Sequence, residues 1–136
     1  MTRSESSGSD PPPRPRRVVV VVPDLFFATR IATTARVLGV EISACAAGEA
    51  LEACRRDPPD LVILDLQGNG DPAGLARALK GDPATGRVRI VGFYSHVDQT
   101  SRRTAESAGV DAVLPRSAFT ARLATLLAGT PFPGGD

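Results

Sequence analysis

The sequence predicts an α/β protein, a three-layer α/β/α sandwich in which five helices flank a five-stranded parallel sheet. Three observations predict it. Strand-like and helix-like segments alternate five times along the chain. Val18 to Val22 and Leu61 to Leu66 are short, non-alternating apolar runs of the kind that parallel strands show when both faces are buried. The connections between segments are short and rich in Gly, Pro and Asp, so consecutive strands are joined through helical crossovers, which are right-handed in a parallel sheet.

Taken in order, Val18 to Val22 is too β-branched for a good helix and reads as a buried strand. Pro23-Asp24 ends it, and Asp24 can cap the helix that follows. From Leu25 to Leu38 the residues Phe26, Phe27, Ile31, Ala35 and Leu38 recur at helical spacing, and Gly39 stops the helix. Val40 to Cys45 alternates and reads as a strand nearer an edge. Gly48 to Arg56 is a short helix with Ala50, Leu51 and Cys54 on one side, broken by Asp57-Pro58-Pro59. Leu61 to Leu66 is the strand around which the rest is organised. Asp65 cannot sit unpaired in its core, because burying a bare carboxylate is costly, so it belongs at the C-terminal mouth of the sheet. A Gly-rich loop, Gln67 to Pro72, leads into a helix from Ala73 to Lys80. Val88 to Tyr94 is the fourth strand, Asp98 to Ala108 a polar helix, Asp111 to Leu114 the fifth strand, and Ala118 to Leu127 the last amphipathic helix.

With 136 residues, one folded domain over 17–128 is expected, between a disordered Pro/Ser/Arg-rich tail (1–16) and a flexible Gly/Pro tail (129–136). The arginines of the first tail read as solvated, with a weak anionic dock as the sharper alternative. A formal net charge of +1 argues against direct nucleic-acid binding. Lys80 is the only lysine, so arginine carries nearly all the positive charge. Cys45 and Cys54 form no CxxC or Cys/His cluster and read as reduced thiols. No apolar stretch is long enough for a membrane span and no secretory signal is visible, so a cytoplasmic protein is expected.

Several kinds of chemistry are absent. The loop after the first strand has no glycine fingerprint, there is no phosphate-binding GxxxxGK[ST] loop, and no nucleophile elbow surrounds Ser95-His96. A lone loop histidine such as His96 is usually solvated. What does occur is a polar residue at the C-terminal end of four strands: Asp24, Asp65, Ser95 and Arg116. In a parallel sheet these ends share one edge, which brings together two carboxylates, a hydroxyl and a cation. Strand ends meet polar loops in any such fold, so part of this coincidence is expected.

From about Arg17 to Gly129 the chain resembles the receiver domains of two-component signalling, whose flavodoxin-like fold has strand order 2-1-3-4-5. The marks are Leu61-Val62-Ile63-Leu64-Asp65-Leu66 with Asp65 in the phosphoacceptor place, Asp24 in an acidic metal-binding place, Ser95 in the Thr/Ser place, and Gly109 to Arg116 in place of the usual run into Lys-Pro. The resemblance implies a non-enzymatic acceptor that takes a phosphoryl group from a histidine kinase or phosphotransfer protein onto Asp65. It also implies Mg²⁺ held by Asp24, Asp65 and the backbone carbonyl of Gln67, with Ser95 and Arg116 on phosphoryl oxygens. Oxygen donors of that kind suit Mg²⁺, and the ion would offset the charge of the incoming group.

The departures bear on each role. Pro23 stands where a second acid is usual, which weakens the Mg²⁺ site. Arg116 replaces lysine, keeping the charge on a longer, planar, forked group. Ser117 replaces the following proline, the loop after Asp65 lacks the customary Met-Pro, and Val113 replaces the aromatic ring of the usual switch. Two readings follow: a stand-alone phosphorylatable receiver, or a pseudo-receiver that binds proteins without phosphate. No DNA-binding domain is expected after Leu127, so output would pass through another protein, or the domain would act as a phosphate relay or sink; a homodimer is a further expected partner. The surface implied is that of the fourth helix, fifth strand and last helix, carrying Arg102, Arg103, Glu106 and Arg122.

Overall fold

Val18 to Val22 offer no polar side chain, so their backbone amides and carbonyls must all find partners within the sheet. The computed structural model, which describes residues 15–68, 70–95 and 99–129, shows how they do. In chain order the elements are β1 (Arg17–Val21), α1 (Leu25–Leu38), β2 (Glu41–Ala44), α2 (Ala47–Arg56), β3 (Leu61–Asp65), α3 (Pro72–Gly81), β4 (Arg89–Tyr94), α4 (Gln99–Ser107), β5 (Ala112–Pro115), α5 (Arg116–Ala121) and α6 (Leu123–Ala128). The strands form one parallel sheet in the order β2-β1-β3-β4-β5, which is the expected 2-1-3-4-5. The register of the central pair runs from Val18 opposite Leu61 to Val21 opposite Leu64.

The period-two alternation of a strand divides the core into two layers. Val18, Val20, Val22, Leu61, Ile63, Val91 and Phe93 pack with Phe27, Ile31 and Ala35 of α1, Phe119 of α5 and Leu123, Leu126 and Leu127 of α6. Val19, Val21, Val62, Leu64 and Ile90 pack with Ala50 and Cys54 of α2, Leu75, Ala76 and Leu79 of α3 and Ala105 of α4. Every strand end carrying a candidate site residue therefore points to one edge. The opposite edge is tied by structural contacts. Lys80 Nζ donates to the Val88 carbonyl and to Asp111 Oδ2, each at 2.9 Å. Asp111 Oδ2 also accepts from the Ile90 amide at 2.8 Å. Arg16 Nε donates to the Leu127 carbonyl at 2.8 Å.

Two local expectations need correction. Among the described residues there are six helices rather than five, because the segment read as one helix from Ala118 to Leu127 divides at Arg122. The Arg122 amide is shared between the carbonyls of Ala118 and Phe119, each at 3.1 Å, and Thr120 Oγ1 donates back to the Arg116 carbonyl at 2.9 Å. Such tightening and back-bonding bend a helix. The buried stripe of α1 is also narrower than its apolar pattern suggests. Phe27, Ile31 and Ala35 are buried, whereas Phe26 is 91% exposed and Leu38 41% exposed. His96, Asp98 and most of the two expected tails lie outside the described residues. No helix among the described residues is long and apolar enough to cross a membrane. Cys45 and Cys54 are both free thiols, as expected, and burial pushes the Cys54 thiol up to about 11.

The contrast within α1 is directly measurable. Phe27→Ala should cost about 3–5 kcal/mol of stability, as truncation of a buried ring does. Phe26→Ala should stay within about 0.5 kcal/mol, as exposed positions do. Urea unfolding of the two variants makes the comparison, and equal losses would contradict this packing.

Candidate functional site

At the end of β1 the chain turns through Pro23 into α1, and Asp24 caps the helix. Its backbone is extended (φ −70°, ψ 109°), and its Oδ1 accepts from the amides of Phe26 at 3.0 Å and Phe27 at 3.2 Å. This is the local bond pattern that makes Asp a favoured cap. Its other oxygen, Oδ2, accepts from Nη2 of Arg116 at 3.2 Å. Arg116 is the first residue of α5, directly after β5. Its guanidinium carbon lies 3.9 Å from the centre of the Phe27 ring and 5.9 Å from that of Phe93. A guanidinium over an aromatic face at this range is held by about 0.5–2 kcal/mol. Beneath it the rings of Phe27, Phe93 and Phe119 form a cluster, with centroids 5.1 Å apart for Phe27–Phe93 and 4.9 Å for Phe93–Phe119. The Phe27 amide and then the Arg116 guanidinium hold the Asp24 carboxyl below its ordinary value of 3.8, against a smaller opposing effect of burial.

Asp65 has different company. It ends β3 half-buried, and its Oδ1 accepts from the Gln67 amide at 2.9 Å. Gln67 Oε1 in turn accepts from the Ser95 amide at 2.6 Å, which ties the loop after β3 to the end of β4. Among the described residues neither Asp65 Oδ2 nor the Ser95 hydroxyl has a hydrogen-bond partner. No hydrogen bond or ion pair joins Asp65 to Asp24 or Arg116 among those residues. The four residues expected to converge therefore share one edge but form two groups: Asp24 with Arg116, and Asp65 with Ser95 through Gln67.

Pro23 is more than a missing acid. A Cβ on Gly68 would lie 3.1 Å from Pro23 Cδ and 3.2 Å from the Asp65 carbonyl oxygen. The loop thus packs against the proline ring at a distance that only glycine accepts without displacement. Beside it a cleft of about 160 Å³ opens between Val22, Pro23, Cys45, Leu64, Pro72 and Leu75, and Asp65 is the one charged residue in its lining.

The donors do not fit a Mg²⁺ ion as they stand. Both oxygens of Asp24 are engaged, Pro23 offers no side-chain donor, and among the described residues no three His, Cys, Asp or Glu side chains gather as a metal-binding group. Octahedral Mg²⁺ needs free oxygens in near-ideal geometry. Of the expected side chains, Asp65 keeps an oxygen with no partner among the described residues, while both oxygens of Asp24 are engaged by a helix cap and an arginine.

No protein-family model matches the chain, and no curated protein matches its sequence. Solved structures do match its backbone. A chemotaxis response regulator of Vibrio cholerae, CheY4, matches with a TM-score of 0.75 at 14% identity, over 87% of this chain and 100% of that one. The fold is that of a receiver domain. The receiver domain of the sensor histidine kinase PA1611 from Pseudomonas aeruginosa, described with a magnesium ion in its active-site cleft, matches with a TM-score of 0.72 at 20% identity, over 86% of this chain and 100% of that one. The phosphorylated cyanobacterial phytochrome response regulator RcpA matches at 0.69 and 18%, over 85% and 91% of the two chains. At such identities the likeness establishes the receiver fold, and the chemistry of this chain rests on its own residues.

The aromatic cluster under Arg116 is what reading the sequence missed. Its signal was there in the pairs Asp24/Phe27 and Arg116/Phe119, each of which spaces a charged residue and a ring three apart, about one helical turn.

Because its folded value is depressed, Asp24 contributes stability that is present above the ordinary Asp value of 3.8 and lost as pH falls through the lower folded value. Carbon-detected NMR titration should find the Asp24 midpoint below 3.8 in the wild type. In Arg116→Gln the midpoint should rise yet stay depressed, since the two amides remain. An unchanged midpoint in the variant would mean that Arg116 does not act on Asp24.

Proposed function

We propose that the chain is a receiver of a two-component phosphorelay that accepts a phosphoryl group on Asp65 and passes the signal on by protein contact. One observation carries this reading: Asp65 ends the central strand with one carboxylate oxygen fixed by the Gln67 amide and the other unpartnered among the described residues. That is the state a carboxylate nucleophile needs. The donor would be a phosphohistidine of a histidine kinase or phosphotransfer protein. The bond from Oδ2 to phosphorus forms as the nitrogen–phosphorus bond breaks, and the electron pair returns to the imidazole, which regains a proton. The domain takes up the group in stoichiometric amount and is not itself a turnover enzyme. We assign the Ser95 hydroxyl to a phosphoryl oxygen. The new charge at Asp65 would act on the Gln67–Ser95 link and so on the entry to α4. Incubation with acetyl phosphate should add the mass of one phosphoryl group to the wild type and none to Asp65→Asn. Equal labelling of both proteins, or of neither, would remove the phosphoacceptor assignment.

A second reading, a phosphorylation-independent protein-binding module, is favoured by a specific feature. Asp24 is already paired with Arg116, and Gly68 lies close to both Pro23 and the Asp65 carbonyl. In both readings the partner surface we propose is that of α4, β5 and the α5–α6 segment, where Arg102, Arg103, Glu106 and Arg122 are exposed and Arg102 pairs with Glu106 at 3.4 Å. Reversing Arg102 and Arg103 to Glu should change stability by no more than about 1 kcal/mol, as surface changes do. The same change should abolish dimerisation or partner capture measured by sedimentation. Full association in the double variant would place the interface elsewhere, and full association of Asp65→Asn would favour the second reading.

A further inference from the structure

We infer that Arg116 is the resident counter-cation of this site, held on Asp24 in the place of a divalent ion, and that Phe27 is the positioning residue that keeps it there. The inference rests on the proposed receiver site only for where the acidic edge lies, and it is read out without phosphorylation. Four observations carry it. The Asp24 carboxylate already accepts three hydrogen bonds, two from amides and one from Arg116, so the one acceptor site left to it lies on the oxygen that Arg116 holds, where a metal would meet a like charge. The cation is pinned from two sides, by the carboxylate at 3.2 Å and by the Phe27 ring at 3.9 Å. An arginine stays charged at any ordinary pH and stacks on a ring in a way that an ammonium does not. The next position along, Pro23, supplies no donor that could recruit a metal around the arginine, and it packs instead against Gly68. Lys80, the only lysine of the chain, is bound to Val88 and Asp111 at the far edge of the sheet, so it cannot relieve Arg116 of this role.

Asp24 sits at the start of α1 and Phe27 lies one turn further along the same helix, so the carboxylate and the ring present a single seat. The planar guanidinium fills that seat with one edge on the oxygen and one face on the ring. A metal then competes with a tethered partner. Its apparent affinity falls by the fraction of time that Asp24 is released.

The test is a Mn²⁺ titration of the unphosphorylated full chain at neutral pH, followed by electron paramagnetic resonance of the free ion. The wild type should show no saturable site below millimolar Mn²⁺. Arg116→Gln should bind at least about tenfold tighter, the scale of two cations competing for one carboxylate. Phe27→Leu should move the same way by less, and Asp24→Asn should cancel the gain when added to Arg116→Gln. If Arg116→Gln does not fold, Arg116→Lys keeps the charge without the stacking and should still bind more tightly than the wild type. A sub-millimolar site in the wild type that is lost in Asp24→Asn would overturn the inference. So would an Arg116→Gln variant that binds no better than the wild type. Failure of Asp65 to take a phosphoryl group would leave these titrations unchanged, so the two ideas stand or fall separately.

Discussion

The structure depends on satisfying the backbone of two strands that are buried on both faces. Between Val18 and Val22, and again between Leu61 and Leu64, every side chain is apolar and buried, so none can pair with a main-chain amide or carbonyl. An unpaired polar group in such a place costs about 1–3 kcal/mol each. Parallel ladders on both sides of β1 and of β3 answer that demand, and helices must then cover both faces. The location of the polar residues follows. Asp24, Asp65, Ser95 and Arg116 are collected at one edge because the strands are parallel and their buried middles carry nothing polar.

At that edge two aspartates of one chain are in different electrostatic states. Asp24 is a structural anion, engaged at both oxygens by a helix terminus and an arginine. Asp65 is held by one amide and has an oxygen to spare among its described neighbours. The difference arises from geometry rather than from residue type. A carboxylate one residue before a helix meets free amides, whereas one at the end of a central strand meets only the first amide of its own loop. Arginine at this position deepens the asymmetry, since its guanidinium carbon sits over the Phe27 ring while Nη2 pairs with Asp24.

Much of this was legible in the sequence. The valine run, the Leu61–Leu66 segment, the cap at Asp24 and the stop at Gly39, which is left-handed at φ 72°, are local signals, and local signals set the order and kind of the elements. The placing of the four polar residues on one edge follows from parallel topology alone. What escaped depends on contacts between distant segments. Phe26 and Phe27 are equally apolar, and only the direction in which α1 lies on the sheet decides that one is buried and the other not. The seat of Arg116 joins residues 92 positions apart in the chain. The break at Arg122 reflects Thr120 and a shared amide, a balance too fine for periodicity to reveal.

The bond between Arg16 and the Leu127 carbonyl bears on how the domain can be tethered. It brings the start of β1 and the end of α6 together at the edge remote from Asp65. Gly129, at φ 81°, completes that corner, since a Cβ there would meet the Arg16 guanidinium at 2.8 Å. The two ends of the described core therefore lie at one corner, away from the acidic mouth. Fluorophores attached at residues 16 and 129 would be neighbours of each other rather than of Asp65. A short linker could join those ends into a circularly permuted protein opened at another loop, with the acidic edge left clear.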